Sequence, residues 1–205
     1  MALLLVAGLV FPFDIPVARW CKAAGMSGDL MRLLNFSEVF AHGLGVGMLL
    51  IAAAVLDRSL TWPWPGLRLV VATFAGGVFV DLLKATVVRV RPRAADLASV
   101  ASAVDTFSTA ALASPPGGHA DMMSFPSGHA AVAAGFAAAL SWRYPRGAVF
   151  FAVVAVLAAI QRVASSAHYP SDVACGAALG LLGAAVFLGD RKSVPSTMES
   201  PSGAC

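Results

Sequence analysis

The sequence predicts an all-α protein, a polytopic membrane bundle of about six transmembrane helices, and three observations carry that expectation. Hydrophobic residues make up 59% of the 205 and charged residues 12%, against about 45–50% and about 25% in an ordinary soluble domain. That leaves too few polar groups to cover a water-soluble enzyme of this size. Long apolar segments recur along the chain, and in hydrocarbon an open strand cannot satisfy its own backbone, so they are read as helices. At about 20 residues per helical crossing of a ~30 Å core, the length holds six or seven crossings and excludes a large domain outside the membrane.

The segments are residues 1–19, 38–56, 67–90, 126–142, 147–166 and 171–189. The first, MALLLVAGLVF, has no Lys or Arg ahead of its apolar run and reads as a retained helix, not a cleaved signal. Asp14 and Pro16 interrupt it after 13 residues, a helical rise of only ~20 Å. It either spans with Asp14 and Arg19 among the headgroups or bends there. Residues 20–37 mix Trp20, Lys22 and Arg32 with Met31, Leu33 and Leu34, which suits a helix lying in the interface or a connecting loop. Trp62 to Gly66 form a turn whose tryptophans belong at headgroup level, and RYPR at 143–146 forms another.

The longest segment outside the helices is 92–124, 33 residues; loops of that length are commonly lids or disordered, which makes it a candidate gate or a passive linker. His119 and Asp121 within it are expected to be solvated, and His42 to be a structural or rim histidine. Residues 1–190 are expected to form one membrane-embedded domain and 191–205 a flexible tail, since the tail has no apolar period.

The net charge of +3 comes with no run of five like charges, so no nucleic-acid partner is expected. Cys21, Cys175 and Cys205 lack the spacing of a zinc site or a disulfide framework. Arg58, Arg143, Arg146, Arg191 and Lys192, with Arg68 nearby, collect on one side of the six-helix layout, which the positive-inside rule makes cytoplasmic. The opposite side carries Lys22, Arg32, Arg89, Arg91 and Arg93.

Ionisable residues inside apolar helices cost about 2.5–3.5 kcal/mol each, so Asp81, Lys84, Arg162 and Asp172 require compensation. Three clusters supply a reason. In KATVVRVRP, Lys84 and Arg91 are seven residues apart. On a continuous helix they would share a face, ~10 Å apart along the axis, with Pro92 ending the helix. In SFPSGH, Pro126 with Ser upstream starts a helix, so the amides of Ser127, Gly128 and His129 are expected to point outward as an anion site. In RVASSAHYPSD, Pro170 starts the last helix, placing His168 at its mouth and Asp172 at spacing i, i+4. A carboxylate beside an imidazole orients it and stabilises its charged form, one histidine can attack and the other can donate a proton. Parity of crossings brings these ends to one face, and phosphate is the anion that explains the composition.

The three blocks together resemble the type 2 phosphatidic acid phosphatase superfamily, whose motifs are KxxxxxxRP, PSGH and SRxxxxxHxxxD. Lys84, Arg91, Pro92, Pro126, Ser127, Gly128, His129, Arg162, His168 and Asp172 match in order, and Gln161 stands where the family usually has Ser. The resemblance implies an integral-membrane lipid phosphatase with no metal or other cofactor. It implies that His168 is the nucleophile forming a phosphohistidine, that Asp172 orients it and that His129 protonates the leaving group. Lys84, Arg91, Arg162, Ser127 and Gly128 are then expected to bind the phosphoryl oxygens. The expected substrates are membrane lipid phosphates: phosphatidate, phosphatidylglycerophosphate, an isoprenoid diphosphate or similar. The expected location is a bacterial inner membrane with the active site on its outer face. A lipid phosphotransferase using the same site is an alternative. A non-catalytic binder or transporter of anionic lipid is another, although it would have no use for two histidines. The vanadium haloperoxidases share the motifs but are soluble, against the apolar content here.

Overall fold

The computed structural model describes residues 2–61, 63–107 and 118–189. Trp62, most of the Pro-Gly stretch at 115–118 and the tail at 191–205 lie outside them. Among the described residues eight α-helices follow one another: α1 (Ala2–Val10), α2 (Asp14–Ala24), α3 (Gly28–Ser37), α4 (Gly43–Leu56), α5 (Pro63–Lys84), α6 (Gly128–Arg143), α7 (Ala148–Ala164) and α8 (Pro170–Leu188). Among the described residues the only β pairing is an isolated bridge between Arg89 and Met123.

Ala2–Ala24, Trp64–Lys84, Pro145–Ala164 and Pro170–Leu188 are each long and apolar enough to cross a membrane, and Gly28–Phe40 with Gly43–Leu56, bent by 65°, pass that test together as a broken span or a re-entrant loop. The sixth rod, α6, has 16 residues, about 24 Å of helix, and is enclosed by α5, α7 and α8. Leu44, Val55, Leu56, Val149, Phe150 and Val186 are left exposed on the outside, the surface a bilayer covers. The protein is an integral membrane helix bundle.

Small residues set the spacing of its centre. A Cβ on Gly176 would run into the backbone of Ser127, and one on Gly180 into that of Ala131. A Cβ on Gly183 would lie 2.6 Å from the Gly76 nitrogen, and one on Gly135 2.6 Å from the Thr73 oxygen. These glycines let α5, α6 and α8 approach backbone to backbone, as small residues do between helices in lipid.

Two expectations are corrected. The third helix ends at Lys84, not at residue 90. Beyond it the β-branched run Thr86, Val87, Val88 and Val90 is apolar but poorly disposed to helix, and Thr86 Oγ1 donates to the Leu83 carbonyl at 2.9 Å, closing the last turn. Asp14 is not among the headgroups but wholly buried. The first part of the connection before α6, left open between a gate and a passive linker, is packed against the bundle: Val90, Ala94, Ala95, Leu97, Val100 and Ala103 pack on Ile15 and Ala18 of α2. Arg19 donates to the carbonyls of Leu97 and Val100 at 2.9 Å, and Lys22 to that of Ala95 at 3.0 Å.

Candidate active site

α4 begins, α5 ends, α6 begins, α7 ends and α8 begins at one rim of the bundle, and all the motif residues collect there. α6 starts because Ser127 takes the cap position and its side chain accepts the Ala130 amide at 3.4 Å. The Ser127 amide itself donates to the Asp172 carbonyl at 3.0 Å. This corrects the expectation of three free amides: Ser127 ties α6 to α8, and the first-turn amides of Gly128 and His129 remain, which no acceptor within their own helix can reach. Lys84 stands over them, its Nζ 3.5 Å from where a Cβ on Gly128 would be.

Arg91 reaches the rim from the loop, not from the helix of Lys84. Residues 89–91 run beside 121–124, with the Arg89 amide donating to Met122 O (2.9 Å), Arg91 to Asp121 O (2.8 Å) and Ser124 to Arg89 O (2.9 Å). The Arg91 side chain donates through Nε to Ala120 O at 2.9 Å. Removal from water is the main influence that lowers its pKa, with Arg93 next and the Arg162 charge adding further. Asp121, expected to be solvated, is buried and pairs with Arg93 at 2.8 Å.

His168 lies in the turn between α7 and α8. It is buried, 2% exposed, and its Nδ1 sits 2.7 Å from the Ser124 carbonyl oxygen. Asp172 is near but not in contact, with Oδ2 at 3.8 Å. That oxygen accepts from Ser124 Oγ at 2.6 Å and from the Tyr169 amide at 2.9 Å. Burial is the largest influence on the imidazole and pushes its pKa below the ordinary value; Asp172 opposes this, and Arg91 and Lys84 reinforce it.

Behind Asp172 lies a network the sequence reading missed. Arg89, counted above as an ordinary interfacial charge, is wholly buried. Its Nη1 donates to Asp172 and, at 2.9 Å, to Ser171 Oγ; its Nη2 reaches Asp14 at 2.7 Å and its Nε reaches Thr106 Oγ1 at 2.9 Å. The guanidinium carbon lies 4.2 Å from the centre of the Tyr169 ring and 4.6 Å from that of Phe107. One cation thus joins α2, the loop and α8. No motif flagged it; the available signal was a second Arg two residues before Arg91, together with an otherwise unexplained Asp14 in an apolar helix.

Arg162, at the end of α7, donates through Nη1 to Glu38 Oε1 at 2.9 Å, while its buried Nε has no partner among the described residues. Next to it, Gln161 is buried and donates to Asn35 Oδ1 of α3 at 3.2 Å. The departure from the family Ser therefore secures α7 to α3. His129 Nε2 lies 4.0 Å from Glu38, and its ring centre lies 5.8 Å from that of His42, so His42 is a rim residue of the same cluster. A cavity of about 990 Å³ between α4, α6 and α7 runs from Phe40 to Asp57, and its lining contains none of the motif residues.

A cationic rim carrying two imidazoles thus stands at the end of a bundle shaped for hydrocarbon. A family model described as the PAP2 superfamily matches residues 65–193. The lipid A 1-phosphatase of Rhizobium etli is 34% identical over 180 residues, 82% of this chain and 72% of that one. That of Rhizobium johnstonii is 34% identical over 167 residues, 78% of this chain and 64% of that one. The chain belongs to the PAP2 superfamily, and it is a membrane lipid phosphatase.

Two solved structures share the fold. The crystal structure of Aquifex aeolicus LpxE matches with a TM-score of 0.63 at 22% identity, over 87% of this chain and 96% of that one. The first transmembrane PAP2 type phosphatidylglycerolphosphate phosphatase from Bacillus subtilis matches with a TM-score of 0.66 at 20% identity, over 95% of this chain and 94% of that one.

Proposed function

We propose that the enzyme cleaves the phosphate of a membrane lipid through a phosphohistidine on Nε2 of His168. The observation that carries this reading is the 2.7 Å contact between His168 Nδ1 and the Ser124 carbonyl. A carbonyl oxygen only accepts, so Nδ1 carries the proton and the lone pair is on Nε2. Nε2 bonds to phosphorus as the bond from phosphorus to the leaving oxygen breaks, and His129 gives that oxygen its proton. Water then attacks phosphorus, passing a proton back to His129, and phosphate leaves with His168 restored.

Lys84, Arg91 and Arg162 hold the phosphoryl oxygens, with the Gly128 amide; the unpartnered Nε of Arg162 supports this. Charge stabilisation by fixed donors supplies most of the catalysis in phosphoryl transfer. Ser127 contributes by holding the start of α6, not through its amide, and Asp172 offsets the charge that His168 acquires. Because the relatives at 34% identity are lipid A 1-phosphatases, the 1-phosphate of lipid A is the first substrate to try. In this reading the site faces the outer side of a bacterial inner membrane, and the position of Arg58, Arg68, Arg143 and Arg146 toward the opposite side of the bundle supports it through the positive-inside rule.

The test is phosphate release in detergent, with chelator present, from lipid A, phosphatidate, phosphatidylglycerophosphate and an isoprenoid diphosphate, together with acid-quench trapping of label on the protein. Label on wild-type protein and none on His168→Gln is expected; turnover by His168→Gln at the wild-type rate would overturn the assignment.

A further inference from the structure

Glu38 lies outside all three motifs, in the short 3₁₀ turn between α3 and α4, and yet its carboxylate touches the rim at two points. Oε1 accepts from Arg162 Nη1 at 2.9 Å and stands 4.0 Å from His129 Nε2. Burial weighs most against a charged His129, and the charges that add to it come from Arg162 of α7, His168 of the following turn, His42 before α4 and Lys84 of α5. Every one is a cation or can become one. A histidine in such surroundings is a poor carrier of a proton, and Glu38 is the carboxylate on the page that opposes them. One turn earlier on the same segment, Asn35 is held by Gln161, so α7 grips the helical segment that carries Glu38 through two successive residues, Gln161 and Arg162.

We propose that Glu38 is a positioning residue that acts through His129: it supplies the negative charge that lets His129 hold the proton destined for the leaving oxygen. It also keeps the Arg162 guanidinium turned toward the phosphoryl group. This rests on the reading of His129 as the general acid. When the lipid phosphate arrives, its oxygens take up the remaining donors of Arg162, and the carboxylate continues to face the imidazole.

The test compares two phosphate monoesters in detergent, dodecyl phosphate and 4-nitrophenyl phosphate. An alkoxide cannot leave without a proton, whereas 4-nitrophenolate can, and both esters give the same phosphohistidine, so loss of the acid shows in the ratio of the two kcat/KM values, which report the step that expels the leaving group. Glu38→Gln keeps an acceptor for Arg162 and removes the charge. It is expected to lower kcat/KM on dodecyl phosphate about tenfold more than on 4-nitrophenyl phosphate, while Glu38→Asp, which retains the charge, is expected to move the ratio much less. Equal losses on both esters, or no loss on either, would overturn the proposal and leave Glu38 a tether of Arg162 or an idle residue. His129→Ala is measured in parallel. If it too fails to change the ratio, the general-acid reading falls and Glu38's role with it. If it changes the ratio and Glu38→Gln does not, the assignment of Glu38 alone is lost.

Discussion

The Nδ1 of His168 is 2.7 Å from the carbonyl oxygen of Ser124. The ring is therefore oriented by the backbone of the segment that leads into α6, and the nearest Asp172 oxygen stands 3.8 Å away. Ser124 also donates its hydroxyl to Asp172 at 2.6 Å, so one residue holds both members of the pair. Ser124→Ala is expected to lower kcat about tenfold or more, the cost of a lost hydrogen bond to a charged acceptor, with KM little changed. Asp172→Asn is expected to be far worse, ~10³-fold, since it removes the countercharge itself. Steady-state kinetics on one lipid substrate checks both, and equal effects would show that the anchoring and charge roles have been wrongly divided.

Arg89 is the cation shared by Asp14 and Asp172. Arg89→Met would leave two carboxylates buried without it, a loss of about 3–5 kcal/mol by analogy with broken buried pairs. A marked fall in the detergent melting temperature is expected, along with loss of activity. A variant that melts like the wild type would mean that water reaches this network.

Gly176 lets α8 touch the backbone of Ser127. Gly176→Ala drives a methyl into that backbone, an overpacking cost of about 1–3 kcal/mol, and displaces the start of α6 on which Gly128 and His129 sit. Both melting temperature and kcat are expected to fall. Gly128→Ala is the contrast, because its methyl meets Lys84 Nζ at an ordinary 3.5 Å. It is expected to melt like the wild type and to alter KM for phosphate esters first.

Burial holds the His168 imidazole below its ordinary pKa. The reactive form is the neutral ring, so a lowered pKa extends activity toward acid, and protonation stops turnover only once the pH falls through that lowered value. The acid limb of kcat/KM is accordingly expected below about 6.5, the unperturbed imidazole value. A pH-rate profile on a substrate whose own ionisation is known checks this, and an acid limb above that value would contradict the burial argument.

Much of the site was legible because its residue types have no cheap place in an apolar chain. Lys84, Arg162 and Asp172 stood out against the cost of charge in hydrocarbon, and proline marked the starts of α6 and α8. Arg91 was singled out but placed on the wrong element, since Val87, Val88 and Val90 satisfy a hydropathy reading as well as helix formers do. Glu38, Ser124 and Arg89 gave little sign, because a carboxylate, a hydroxyl and a guanidinium near helix ends resemble ordinary interfacial groups.

Composition, proline placement and motif spacing by themselves determined a helical membrane bundle whose phosphate-handling groups meet at one rim. Those are properties of segments a dozen or two residues long, set by the backbone's need for internal hydrogen bonds in lipid. Which group orients His168, which cation neutralises Asp14 and Asp172, and which carboxylate faces His129 were decided only in three dimensions. Each pairing joins residues far apart along the chain, Ser124 with His168, Asp14 with Arg89 and Glu38 with Arg162, and such contacts depend on how the helices pack and the loop folds back, which no local pattern encodes.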